Sequence, residues 1–130
     1  MKRTWISILM TVIAFALLLI GAGCAKAQPV HPNQINTFDG DAYDALTAAQ
    51  AALNEANSQY SAGNLPASAK AIINSTGAAY NTANASWKSW RDIVQGTKPG
   101  DAGAAQAQLT TDLAALSQSV ANLKGVLAKP

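Results

Sequence analysis

From about residue 41 onward, apolar side chains return every three or four positions, and the stretches between them are rich in glycine and proline. Leu46, Ala49, Leu53, Ala56 and Tyr60 lie on one stripe of a helix. Asp41 is placed to cap that helix, and Gly63 to stop it. A second stripe joins Ala69, Ile73, Thr76, Tyr80, Ala83, Trp87, Trp90 and Val94. It is unbroken across Gly77, which predicts one long helix with a soft point there, opened by Pro66 in its first turn. Leu109, Leu113, Leu116, Val120, Leu123 and Leu127 form a third stripe behind Asp101, a natural cap. Gly125 offers an earlier end to that last helix.

Three amphipathic helices joined by short turns favour antiparallel neighbours. The expected fold is therefore all-α, a small up-down-up bundle occupying residues 38–130, with helices at about 41–61, 65–95 and 102–128. Alanine fills many seam positions, so the helices can approach closely over a thin core. Heptad seams can close within one chain or between copies, and periodicity leaves both open.

The N-terminal part follows a different pattern. Lys2 and Arg3 precede an apolar run from Trp5 to Ile20, and Gly21-Ala22-Gly23 follows it. Sixteen helical residues would cover about 24 Å, short of a hydrocarbon core of roughly 30 Å. A cleaved targeting segment over residues 1–23 fits better than a stable span. Residues 24–37 then read as a linker, of which the 13 residues from Ala25 to Thr37 reach at most about 45 Å when extended.

Ile20-Gly21-Ala22-Gly23-Cys24 resembles the lipobox of bacterial lipoproteins, with Gly21 where that pattern most often has leucine. The resemblance covers only the N-terminal fifth of the chain. It implies transfer of a diacylglyceryl group to the Cys24 thiol, cleavage between Gly23 and Cys24, acylation of the new amino terminus by palmitate-type chains, and a lipid-anchored place in the bacterial cell envelope. By the sorting rule of Gram-negative lipoproteins, Ala25 in place of aspartate implies the outer membrane. Ala25-Lys26-Ala27 offers a competing site, at which ordinary signal cleavage would release a free product beginning at Gln28.

Charge changes once the leader is removed. The nine Lys and Arg residues include Lys2 and Arg3, leaving seven, and all seven acids follow Cys24. A neutral domain without a basic run argues against a nucleic-acid partner. Cys24 is the only cysteine, so its acylation would leave no thiol for a disulfide, a metal or catalysis.

The chemistry-bearing residues are few. Asp39, Asp41 and Asp44 invite a calcium reading, yet Tyr43, Asp44 and Gln50 stand where an EF-hand loop needs a ligand, a glycine and a glutamate. Helix-start acids also suit the macrodipole. His31, the only histidine, reads as solvated linker, with no partner for metal binding or base catalysis. These patterns point to a non-enzymatic chain, without a cofactor, that works by contact with an envelope protein. Trp87 and Trp90 fall on the seam and read as core. The alternative makes Trp87, Lys88, Trp90 and Arg91, with Lys98, an exposed interface patch near the tether, covered in part by Ile35 and Phe38.

Overall fold

The computed structural model describes residues 31–128. The leader, the Gly23–Cys24 bond, the alternative cut after Ala27 and the first part of the linker lie outside the described residues. Among the described residues three helices follow one another: α1 (Thr37–Ser61), α2 (Ala69–Val94) and α3 (Ala102–Leu127). Among the described residues, none of these helices is long and apolar enough to cross a membrane.

Their ends follow from local chemistry. Asn36 opens α1, and its side chain accepts the Asp39 amide at 2.9 Å. The start predicted at residue 41 therefore moves to 37, since this asparagine cap satisfies a first-turn amide four residues earlier. Asp101 caps α3 as expected, accepting the Ala104 amide at 2.9 Å. α2 begins at Ala69 rather than 65, because Pro66 and Ala67 are taken up by a turn whose carbonyls accept from Ala69 and Lys70.

Both helix-to-helix turns use the same stop. Gly63 and Gly96 adopt φ of 77° and 75°, which favours glycine. In each case the glycine amide and the next amide fold back on the final turn: Gly63 to Tyr60 and Asn64 to Gln59, then Gly96 to Ile93 and Thr97 to Asp92. This Schellman arrangement satisfies carbonyls that a helix end leaves open. Gly77 and Gly125 sit inside α2 and α3 without interrupting them.

The core is three layers deep. Ala42, Trp90 and Leu109 form the layer at the start of α1. Leu46, Ala49, Ala83 and Leu116 form the middle, and Leu53, Ala56, Ile73 and Leu123 the far layer. Residue numbers rise along α1, fall along α2 and rise again along α3, which is the antiparallel bundle the stripes imply. Leu109, Leu116 and Leu123 lie one heptad apart and supply one leucine to each layer.

Among the described residues, five of the twelve buried apolar side chains are alanine, so burial per layer is modest. Polar cross-links supplement it. Thr76 is fully buried, and its hydroxyl lies 2.8 Å from the Ile72 carbonyl and 3.3 Å from that of Ser119 on α3. Ser86 on α2 donates to Asp112 on α3, which also accepts from Gln108.

Two substitutions test this packing by urea unfolding. Leu116→Ala, which empties the middle layer, is expected to lower stability by about 2–5 kcal/mol. Gly77→Ala adds a methyl group into open space within a helix and is expected to raise it by about 0.5–1 kcal/mol.

Candidate functional site

The chain enters the bundle beside the first core layer, and there a carboxylate is fully buried. Asp39 is the third residue of α1 and has no exposed surface. An acid at this position commonly reaches back to the cap's amide. Here it reaches one residue further, and Oδ2 accepts the Ile35 amide at 2.9 Å. Asn36 and Asp39 thus bracket the helix start, each accepting an amide from the other's neighbourhood.

The second oxygen ties α1 to α2. Trp87 Nε1 donates to Asp39 Oδ1 at 2.6 Å. Arg91, one turn further along α2, brings Nε to 3.8 Å from the same oxygen. Burying an unpaired carboxylate costs several kcal/mol, on the order of its lost hydration. Two N–H donors and a nearby guanidinium offset that cost here.

Arg91 serves three groups at once. Beside its approach to Asp39, its guanidinium lies 5.0 Å from the Trp87 ring and donates through one terminal nitrogen to the Asn33 carbonyl at 2.8 Å. Asn33 takes a left-handed φ of 63°, a conformation asparagine tolerates better than most residues. The segment 31–36 is therefore strapped across the end of the bundle, and Asp39, Trp87 and Arg91 form the knot that holds it.

His31 departs from its expected place. Far from being solvated linker, it is only 9% exposed. Its ring stacks on Tyr43 with centroids 4.4 Å apart and meets Trp87 edge-on at 6.3 Å. Nε2 lies 3.5 Å from Asp39 Oδ2 and has no hydrogen-bond partner, while Nδ1 is 3.1 Å from the Pro32 carbonyl. The linker, expected to run to residue 37, instead packs against the bundle from residue 31 onward because these aromatic surfaces accept it.

The tryptophan patch is likewise redrawn. Trp90 is 1% exposed and packs edge-on against Phe38, centroids 5.1 Å apart. Trp87 is half-buried and committed to Asp39, and Arg91 is committed to the strap. Of the four residues of the suggested interface patch, only Lys88 is exposed, so the patch does not exist as an open aromatic surface. Lys98 is exposed and donates to Ser89. Ile35 and Phe38 do cover the tryptophan layer, as their position ahead of the helix suggested.

The acids do not form a calcium loop. Asp39, Asp41 and Asp44 all lie in α1, with Asp39 turned into the knot and the other two exposed. Among the described residues no three His, Cys, Asp or Glu side chains gather as a metal cluster. What the arrangement does chemically is to neutralise and bury a charge while pinning the incoming chain.

Asp39, His31 and Asn36 escaped the sequence reading as a unit. The signal was present in the Asn36–Asp39 spacing, since a cap and an acid three residues on mark a helix start. Reading Asp41 as the cap hid it. No protein family, curated protein or solved structure matches this chain.

The knot predicts energetic coupling between the strap and α2. Trp87→Phe removes the indole donor from a buried oxygen and is expected to cost about 1–3 kcal/mol. Asp39→Ala should cost a similar amount or more. In a double-mutant cycle followed by urea unfolding, the two should couple by at least about 1 kcal/mol. Additive costs would mean that the 2.6 Å bond contributes nothing beyond packing.

Proposed function

We propose that this chain is a lipid-anchored protein of the bacterial envelope, in which a non-catalytic helical bundle acts by contact with other envelope components. The lipobox resemblance at Ile20–Cys24 supports the anchor. The strap at residues 31–36 is compatible with that anchor, because it fixes the end of the bundle at which the preceding chain arrives. With the strap docked, the path from Cys24 to His31 is seven residue steps, which span at most about 25 Å. The tether would then reach the bundle at its Asp39 end.

The Ala25-Lys26-Ala27 motif supports a second reading, in which cleavage after Ala27 releases a binding or inhibitor module. That cut would leave Gln28 as the first residue and would spare the whole strap, so the fold tolerates either processing route. The contact role itself is the same in both; the difference is whether the bundle is held at a membrane.

The two routes separate cleanly. Expression in a bacterial host with labelled palmitate should label the protein, and intact mass should show an acylated Cys24 at the mature amino terminus. Cys24→Ala should abolish the label and move the protein out of the membrane fraction. An unlabelled mature chain beginning at Gln28 would replace the anchored reading with the released one.

A further inference from the structure

Along the face where α1 and α2 meet, two depressions of about 420 and 520 Å³ share Gln50, Asn54 and Tyr80. Tyr43 and Trp87 lie at one end of the resulting groove, and Asn57 and Asn74 toward the other. From Tyr43 to Asn57 the helix advances roughly 21 Å.

Its lining differs from the other depressions of the bundle. Aromatic rings and side-chain amides dominate, and among the described residues no charged side chain lines either part. The neighbouring α1–α3 depression is instead lined by alanine, leucine and valine, with Ser117 and Lys124 as its polar members. Tyr43 is 38% exposed even with His31 stacked on it, and Tyr80 is half-buried. Asn81 is exposed and Asn84 half-buried, and neither side chain bonds another group among the described residues. Gly77 adds open space where any other residue would place a Cβ.

We infer that this groove binds a neutral linear oligosaccharide. Aromatic faces carry negative charge density and attract the weakly positive C–H faces of sugar rings. Amides donate and accept in the same side chain, which matches hydroxyl and acetamido groups. Phosphate-rich ligands need cations that are missing from this lining. An apolar helix seated here would strip water from amides without replacing their hydrogen bonds, at a cost for each. The length suits a chain of several sugar units. This site does not depend on the anchor, so binding can be read whether or not Cys24 is acylated.

The test uses the processed full chain, solubilised in a detergent without a sugar headgroup. N-acetylglucosamine tetramer and cellotetraose are titrated while amide shifts and heat are followed, and an amphipathic alanine-leucine peptide is added in parallel. Saturable shifts confined to residues 43–57 and 74–87 with either sugar are expected. Asn81→Ala combined with Asn84→Ala, changes on or near the surface, should weaken binding at least fivefold while leaving the helical circular dichroism intact. Ala121→Ser, on the α1–α3 face, should leave it unchanged. Acetamido dependence would show as preference for the first sugar. Shifts with neither sugar at millimolar concentration, or saturation of this groove by the peptide alone, would overturn the assignment.

Discussion

A single buried carboxylate organises one end of this molecule. Asp39 holds the Ile35 amide with one oxygen and the Trp87 indole with the other, so it joins the strap, the first turn of α1 and the last turns of α2. An apolar residue there would leave the Ile35 amide and the indole without partners. A carboxylate without those donors would be too costly to bury. Each member therefore depends on the others, and Arg91 closes the set by gripping the Asn33 carbonyl over the Trp87 ring.

The rest of the bundle needs that end to be firm. Alanine-rich layers bring the helices close but remove comparatively little apolar surface from water. Trp90 is the largest fully buried side chain among the described residues and sits in the layer directly beneath the strap. Phe38 and Ile35 seal it from the side of the incoming chain. Its own indole nitrogen is buried without a partner, so the layer tolerates one unsatisfied donor while the ring covers a large apolar area.

Periodicity made the fold legible. The heptad leucines of α3, the alanine and leucine stripe of α1 and the α2 seam from Ala69 to Trp90 follow the 3.6-residue repeat, whereas Val94, the last residue of α2, is 39% exposed and joins no core layer. Asp101 as a cap and Gly63 as a stop were legible for equally local reasons. The knot was not. His31 and Asp39 are eight residues apart in sequence, and their value comes from Trp87 and Arg91 on another helix, a contact no stripe encodes. The groove was hidden for a related reason: Asn81 and Asn84 lie off the α2 stripe, and only the packing of α1 against α2 brings them beside Gln50 and Tyr43.

The strap and the groove meet at Tyr43 and Trp87, which pack against His31 and also line one end of the groove. All of it presumes that residues 31–36 are part of the folded unit. Native-state hydrogen exchange at the Ile35 amide measures this most directly. If Asp39 holds that amide, it exchanges as slowly as the core of α1 around Leu46. Exchange as fast as an exposed helix-start amide such as that of Ala102 would show the strap undocked and the carboxylate unpaired.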